Sequence, residues 1–317
     1  MLEGFLNSHA GLVRLISEQQ VVLRKHPKPG DKVALVSGGG SGHEPAHAGY
    51  VGTGMLDAAV CGNVFASPNP EQIRTALVEL KNSAGVLMIV KNYSGDIMNF
   101  DLAAEMAEEE GVKVDKVVVN DDVALAGRDK AEWRRGIAGT VLVHKTAGAA
   151  AEKGLDLAGV KRVAEKAIAN MGSMGLALTP CIVPVAGKPG FTLGEGEMEM
   201  GLGIHGEAGA RKTSIMEADA VVKELFEKIR DDVGLKAGDR VAALVNGLGG
   251  TPPMELYVMA RALHALCGAA KIGIGYSLVG NYLTSLEMAG ASITLMRLDA
   301  ELADFLAAPA HTPAFTQ

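Results

Sequence analysis

The sequence predicts an α/β protein whose first part is a doubly wound, mostly parallel sheet. Short apolar runs, each followed by a polar or glycine-rich loop and then by a helical pattern, recur between residues 33 and 171. Such a repeat is typical of a parallel sheet with helices on both faces. With 317 residues, 48% of them hydrophobic, the chain is long enough for two domains. A Pro-rich stretch at 179–190 places the predicted boundary so that the domains are 1–184 and 185–317.

The elements follow from this pattern in chain order. We expect an amphipathic helix over residues 2–20 and a turn at 28–31 that leads into the first strand. The predicted strands of the first domain are 33–36, 58–61, 85–90 and 114–119, and its predicted helices are 45–52, 71–82, 97–110, 137–153 and 160–171. In the second domain we predict helices at 218–229 and 254–266 and strands at 240–245 and 291–297.

The stretch 33–47, VALVSGGGSGHEPAH, places four glycines between an apolar run and Pro45. A plain turn needs fewer glycines, whereas several let a backbone approach a ligand closely. A P-loop would need a following Lys, and in a dinucleotide site the helix would begin where Glu44 and Pro45 stand. The stretch also matches the zinc-protease pattern H-E-x-x-H, but Pro45 places His43 before the predicted helix and not within it. We therefore predict a substrate loop and no metal site.

Three polar loops follow predicted strands of the first domain. They are GGGSGHEP at 38–45, KNYSGD at 91–96 and NDD at 120–122. In parallel sheets, ligands bind beyond the carboxyl ends of the strands. The sequence therefore predicts that these loops converge on one site.

The composition argues against several classes of protein. A net charge of −7 is opposite to the basic face that a nucleic-acid partner requires. The cysteines Cys61, Cys181 and Cys267 are scattered and odd in number, which indicates neither disulfides nor zinc. No apolar run approaches the ~20 residues of a membrane-spanning helix, and the N-terminus has no signal-peptide core. We therefore expect a cytoplasmic protein that contacts neither membranes nor nucleic acid.

Taken together, these motifs resemble the substrate-binding subunit of dihydroxyacetone kinases along nearly the full chain. The similar stretches are GGGSGHEP at 38–45, VKNYSGD at 90–96, NDDVA at 120–124, GIHGE at 203–207 and APAHTPAF at 308–315. All of these stretches occur in the family's order. The resemblance implies two α/β domains, the second smaller and carrying the covalent histidine, in a homodimer.

The resemblance also implies three catalytic residues. A histidine nitrogen of the family adds to the substrate ketone and gives a hemiaminal, and this histidine falls on His205. The acidic residue near the reacting hydroxyl falls on Asp96, and a second histidine falls on His43. Read from the residues alone, His205 could instead cap a glycine turn, and Asp96 could be the N-cap of the helix predicted to follow it. One departure from the family is Ala208, where a proline usually follows His-Gly-Glu.

Other residues are candidates for contacts with the substrate. By resemblance, Gly40 is the backbone position that approaches the substrate and Lys91 is the lysine of the site. Ser41 is a further predicted substrate contact, and Asn63 and Tyr93 are weaker candidates.

The sequence lacks the parts that deliver a phosphoryl group. Phosphoryl transfer needs a nucleotide cradle and carboxylates for Mg²⁺, and neither is recognisable. The resemblance implies that Mg²⁺ and ATP or ADP belong to a nucleotide-binding (L-type) partner subunit. We therefore predict a phosphotransferase subunit that holds dihydroxyacetone while the partner supplies the phosphoryl group. A ligand-sensing co-regulator, a kinase subunit for a longer ketose such as erythrulose, and a phosphotransferase-system donor remain open alternatives.

Overall fold

The structure, a computed structural model, describes residues 1–28 and 32–317. Two six-stranded sheets with helices packed on them confirm the predicted α/β class. The helices are α1 (Leu2–His9), α2 (Pro70–Glu79), α3 (Ser94–Glu109), α4 (Thr140–Glu152), α5 (Leu157–Ala169), α6 (Ala218–Val233), α7 (Pro253–Ala269) and α8 (Ala300–Ala307). Apart from Lys28, the turn predicted at 28–31 lies outside the described residues.

The first sheet has the strand order β1-β2-β4-β3-β5-β6. Its strands are β1 (Val13–Ile16), β2 (Val21–Arg24), β3 (Ala34–Ser41), β4 (Ala58–Val64), β5 (Val86–Lys91) and β6 (Val114–Val119). Strands β4, β3, β5 and β6 are parallel, whereas the hairpin β1–β2 joins the β4 edge antiparallel. The mostly parallel sheet of the prediction is therefore confirmed, and the carboxyl ends of its parallel strands share one edge.

The second sheet has the order β11-β10-β7-β14-β12-β13 and is mostly antiparallel. The remaining strands are β7 (Met171–Ala177), β8 (Ile182–Val183), β9 (Lys188–Pro189), β10 (Glu197–Met200), β11 (Arg211–Ser214), β12 (Arg240–Gly247), β13 (Gly273–Gly280) and β14 (Gly290–Leu298). Strand β7 pairs with β14, so the second sheet begins at Met171. The predicted domain boundary, between residues 184 and 185, places this strand in the first domain. The Pro-rich stretch itself forms a small two-stranded ribbon of β8 and β9.

Helices α4 and α5 lie between the two sheets. One apolar cluster joins Leu35 and Ile89 of the first sheet, Val141 of α4, and Leu244 and Met296 of the second sheet. Helices α2 and α3 cover the outer face of the first sheet, and α6 and α7 cover that of the second. Because α4 meets apolar side chains on every side, all of its residues from Thr140 to Ala151 are buried.

The helix predicted over residues 2–20 is wrong beyond His9. Residues 13–24 form the hairpin β1–β2, and Val21 and Val22 are buried where β2 pairs with β4. The apolar residues of this segment fit both a helical and an alternating period, and pairing with a buried strand decides between the two.

The glycine-rich loop is also different from the prediction. Strand β3 continues through the glycines to Ser41, and a Cβ on Gly38 would lie 2.5 Å from the carbonyl oxygen of Val60. The helix predicted at 45–52 is wrong, since only a short 3₁₀ turn, Ala48–Tyr50, follows. The carbonyl groups of residues 42–44 accept hydrogen bonds from the segment 284–286, which ties the start of this stretch to a distant part of the chain.

No helix in the described ranges combines the length and the apolar character that crossing a membrane requires.

Candidate active site

Two histidines from different parts of the fold face each other at the carboxyl edge of the first sheet. His43 lies in the turn after β3, and His205 lies between β10 and β11. Their ring centroids are 4.8 Å apart, and the ring planes are at 80°. The site is therefore built where the first sheet meets a loop of the second.

His205 is held in an apolar cage of aromatic rings. The rings of Tyr93 and Phe65 stand edge-on to it, with centroids at 4.4 and 5.4 Å. Its backbone N–H donates a hydrogen bond of 2.7 Å to the Glu207 carboxylate. Burial lowers the pKa of His205 to about 2, because a charged imidazolium would lose its hydration there. The ring is therefore neutral at pH 7 and has a lone pair available as a nucleophile.

His43 is buried, and its tautomer is fixed. Nδ1 lies 2.8 Å from the carbonyl oxygen of Thr284. A carbonyl oxygen only accepts, so Nδ1 carries the proton and donates it. Burial lowers the pKa of His43 to about 3, so the ring is neutral and Nε2 is unprotonated. Nε2 is buried without a hydrogen-bond partner in the described parts of the chain. It is an acceptor for a hydroxyl group.

Lys91 and Asp96 form a buried ion pair beside the histidines. Lys91 Nζ is 3.4 Å from Asp96 Oδ2 and donates to the carbonyl oxygen of Gly38 at 3.1 Å. The hydroxyl of Ser67 donates to Asp96 Oδ1. Helix α3 begins at Ser94 with Tyr93 as its N-cap, so Asp96 lies in the first turn. The alternative interpretation of Asp96 as an N-cap is wrong, because its oxygens face Ser67 and Lys91.

Of the other predicted contacts, Gly40 and Ser41 lie at the end of β3, and Asn63 lies at the end of β4. A Cβ on Gly40 would lie 2.6 Å from the backbone N of Ala66, so the turn after β4 requires a glycine there. The hydroxyl of Ser41 donates to the carbonyl oxygen of Gly62 and so bridges β3 and β4, and its role as a substrate contact stays a prediction. Asn63 is exposed.

The loop at 120–122 supports the site without entering it. Asp122 forms a buried ion pair with Arg135, whose Nε donates to Oδ2 at 2.7 Å. Arg135 also donates to the carbonyl oxygen of Gly201 at 2.6 Å and lies 3.5 Å from Glu207. Because Glu207 accepts from the His205 backbone, these contacts connect β6 to the His205 loop. Of the three predicted loops, two therefore supply site residues and the third positions one.

Sequence reasoning missed two residues of the site. Ser67 follows β4 in a loop at the same sheet edge. Because ligands bind beyond the carboxyl ends of parallel strands, this loop was also a candidate for the site. Phe65 packs on both histidines and has a φ of 55°, a left-handed conformation that is uncommon for a residue with a side chain. Nothing in its sequence neighbourhood indicates this conformation.

The carboxylates near the site do not fit a Mg²⁺ ion. Asp96 faces Lys91 and Ser67, whereas Asp121 accepts from the backbone N–H groups of Ile137 and Gly139. Within residues 1–28 and 32–317, no group of three or more His, Cys, Asp or Glu side chains is arranged to hold a metal ion.

Comparison with known proteins identifies the family. Residues 3–314 match the Dak1 domain family. A Listeria innocua protein named "PTS-dependent dihydroxyacetone kinase 1, dihydroxyacetone-binding subunit DhaK" is 51% identical over 316 residues, covering 99% of this chain and 96% of the relative. A "D-erythrulose kinase" of Mycolicibacterium smegmatis is 44% identical, and the match covers 99% of this chain but 54% of that protein.

A solved structure has nearly the same fold. The "dihydroxyacetone kinase operon co-activator Dha-DhaQ" superposes with a TM-score of 0.95 at 34% identity, covering 100% of this chain and 98% of that one. The family match and the identity to these relatives over nearly the whole chain agree with the resemblance noted in the motifs. The chain therefore belongs to the Dak1 domain family.

Proposed function

We propose that this protein is the dihydroxyacetone-binding subunit of a phosphotransferase. It holds the ketose as a hemiaminal on His205 while a partner subunit supplies the phosphoryl group. The observation that carries the proposal is the pair of neutral histidines, one a nucleophile and the other an acceptor, with rings 4.8 Å apart. The name of the Listeria innocua relative supports the same substrate.

The chemistry of the tether follows from the neutral state of His205. A ring nitrogen gives its lone pair to the carbonyl carbon, and a C–N bond forms. The π electron pair of the ketone moves to the oxygen, which takes a proton, and the other ring nitrogen releases one, so the hemiaminal is neutral. In this proposal the new hydroxyl donates a hydrogen bond to Nε2 of His43, which is unprotonated and has no other partner among the described residues. A small polyol buries little surface, so a covalent bond provides orientation that weak contacts would not.

Asp96 is the proposed base in phosphoryl transfer. Its carboxylate takes the proton of the substrate's terminal hydroxyl as that oxygen attacks the phosphorus atom, and the bond from phosphorus to the donor breaks. Lys91, 3.4 Å from Asp96, offsets the negative charge that develops around the reacting hydroxyl. General base assistance of this kind typically contributes ~10²–10⁴-fold in rate.

The phosphoryl donor belongs to a partner in this proposal. The Listeria innocua relative is named a subunit and is called PTS-dependent, and it has nearly the length of this chain. The D-erythrulose kinase has about twice that length, which leaves room in one chain for a further part. Since the carboxylates of this site are already engaged, we place Mg²⁺ and the nucleotide, ATP or ADP, on the partner.

A second candidate function is ligand sensing. The co-activator whose fold superposes with a TM-score of 0.95 favours it. A sensor needs the ketone site but no base, whereas this chain has Asp96 buried beside Lys91 at the site. Turnover in the presence of a partner subunit separates the two functions.

The tether is tested with dihydroxyacetone labelled with ¹³C at the carbonyl carbon. On binding, the ketone signal should be replaced by that of a carbon bonded to nitrogen and oxygen. His205→Ala should abolish this signal, and the matched control His264→Ala, an exposed histidine of α7, should retain it. An adduct of normal strength in His205→Ala would contradict the proposal.

A separate assay tests whether a partner subunit supplies the phosphoryl group. The purified chain with ATP, Mg²⁺ and dihydroxyacetone should form no phosphorylated product until a nucleotide-bearing subunit is added. Steady turnover by this chain alone would show that the phosphoryl donor site has been assigned to the wrong protein.

A further inference from the structure

The segment 281–286, between β13 and β14, contacts both histidine loops. We infer that this segment positions the two histidines relative to each other, with Ser285 and Asn246 as positioning residues; the inference rests on the proposed function. Its central residues, Thr284 and Ser285, are buried.

On one side, the segment holds His43 by its ring and by its backbone. The Thr284 carbonyl accepts from Nδ1 at 2.8 Å, and the Thr284 N–H donates to the His43 carbonyl at 3.2 Å. The Thr284 hydroxyl donates to the carbonyl oxygen of Glu44 at 2.8 Å, and Leu286 N–H donates to that of Gly42 at the same distance. The ring can therefore not turn away without losing its acceptor.

On the other side, the next residue holds the loop of His205. The hydroxyl of Ser285 donates at 2.8 Å to the carbonyl oxygen of Ile204, the residue before His205. Thr284 and Ser285 are neighbours in the chain, and consecutive Cα atoms are ~3.8 Å apart. A single peptide unit therefore sets the distance between the contact to His43 and the contact to the loop of His205. The two histidine loops are thus held by Thr284 and Ser285, two adjacent buried residues of this segment.

Asn246, at the end of β12, holds this segment in turn. Its Oδ1 accepts from the backbone N–H groups of Tyr282 and Leu283, each at 2.9 Å. Its Nδ2 donates to the Leu283 carbonyl at 2.8 Å and to the Ser292 hydroxyl at 3.2 Å. These bonds use both donors of the amide and two acceptor positions. An aspartate has the same shape but could not make the two donations.

For the chemistry, the segment determines which ring nitrogen of His43 carries the proton. While Thr284 O faces Nδ1, the proton of His43 stays on Nδ1 and Nε2 can accept. If the segment shifts, the proton is free to move to Nε2, which then cannot accept from the hemiaminal hydroxyl. Asn246 and Ser285 therefore act on the reaction through the histidines without touching the substrate.

The test uses Ser285→Ala and Asn246→Asp, with Thr251→Val as the matched control. Thr251 is also a buried hydroxyl of the second half, but its two bonds go to the backbone of Gly290. Three quantities are measured: the Tm, the affinity of the ketone adduct, and the ¹⁵N signals of the His43 ring in ligand-free protein, which report its tautomer.

We expect Ser285→Ala to weaken the adduct roughly 2–10-fold, as the loss of one hydrogen bond should, with the His43 tautomer unchanged. Asn246→Asp should weaken it further and give ¹⁵N signals of mixed tautomers. Thr251→Val should lower the Tm without changing adduct affinity or tautomer.

The inference is overturned if Ser285→Ala binds the ketone as tightly as Thr251→Val does and Asn246→Asp keeps the single tautomer. If Asn246→Asp does not fold, the adduct affinity of Ser285→Ala decides alone. Absence of an adduct in the wild-type protein would instead contradict the proposed function, and the ¹⁵N signals would still decide whether the segment fixes the tautomer.

Discussion

The ammonium nitrogen of Lys91 lies 3.0 Å from Nε2 of His47, so a buried histidine accepts a hydrogen bond from a buried lysine. An ammonium group has no acceptor, hence Nε2 of His47 is unprotonated. Burial, with the charge of Lys91, lowers the pKa of His47 well below its ordinary value. His47 and Asp96 therefore hold the lysine from two sides, and the second His of the H-E-x-x-H pattern supports a lysine, not a metal.

We predict that Asp96→Asn lowers turnover with the partner subunit by ~10²–10⁴-fold, because an amide cannot take the hydroxyl proton. The change also leaves Lys91 without its counter-charge, so the free energy of unfolding should fall by about 3–5 kcal/mol. The ketone adduct on His205 should still form. Steady-state kinetics and the ¹³C signal of the bound ketone measure the two effects separately.

The control for this variant is Asp101→Asn on the same helix. Asp101 pairs with Lys116 near the surface, and such pairs contribute little to stability. Turnover of Asp101→Asn should stay near that of the wild type. Near-normal turnover of Asp96→Asn would instead favour the sensing function.

Ser67→Ala should lower kcat by about tenfold, the usual effect of losing a hydrogen bond to a charged group. Ser67 donates to Asp96 Oδ1, so its loss frees the carboxylate to rotate away from the substrate hydroxyl. Adduct affinity should change little. Ser94→Ala, an exposed serine in the first turn of α3, is the control, and an equal effect on kcat would argue against the assigned contact.

Gly39→Ala should displace Lys91, since a Cβ at position 39 would lie 2.4 Å from Nζ. We expect turnover and stability both to fall, because the lysine must move and because Gly39 has a φ of 157°, which a residue with a Cβ rarely adopts. Gly268→Ala is the control: a Cβ there meets nothing within 4 Å, and alanine favours the helix. Unchanged turnover of Gly39→Ala would show that the reaction does not require Nζ of Lys91 at its present position.

Stability should fall in mild acid. Burial lowers the pKa from 6.5 to about 3 in His43 and His144 and to about 2 in His205, and well below 6.5 in His47. Below pH 6.5 the unfolded chain therefore binds protons that the folded chain does not, and protonation favours unfolding. Each such group can contribute ~1.4 kcal/mol per pH unit, so the stability contributed by these four histidines is complete above pH 6.5 and is lost towards pH 3. Burial raises the pKa of Asp122 to about 6, which acts in the opposite sense but is one group against four. Urea unfolding at pH 7, 6 and 5 measures this slope.

His144→Leu provides the control for the acid slope. Both ring nitrogens of His144 are buried without a hydrogen-bond partner among the described residues, so leucine removes a titrating group and no described bond. The variant should lose less stability between pH 7 and pH 5 than the wild type. Equal stability of the wild type at both pH values would contradict the assigned pKa values.

Much of the fold was predictable from the sequence, for a physical reason. Strands β4 and β5 are mostly buried apolar runs, and helices α2 to α5 follow loops with clear polar signals. The helix predicted over residues 2–20 covers β1, because only the pairing of β1 with β2 and of β2 with β4 decides for strands in this segment. The helix expected after Pro45 does not form, and the carbonyls just before it, at residues 42–44, accept hydrogen bonds from residues 284–286.

The site was predictable where side chains carry the chemistry. The resemblance to the family indicated His43, Lys91, Asp96 and His205, and the structure brings them together. The contact of Thr284 with His43 has no sequence signal, since a backbone carbonyl belongs to every residue. Such contacts follow only from the arrangement of the two sheets.

Helix α4 is buried along its length between the two sheets, which limits how the molecule can move. A hinge that opened the two halves like a clamshell would expose this apolar helix to water at a large cost in free energy. Opening of the two halves is therefore not expected to separate His43 from His205, whose ring centroids are 4.8 Å apart. A ketose must therefore approach beside these closely packed rings, and selection among sugars depends on the loops that carry His43 and His205 and not on a movement of the sheets.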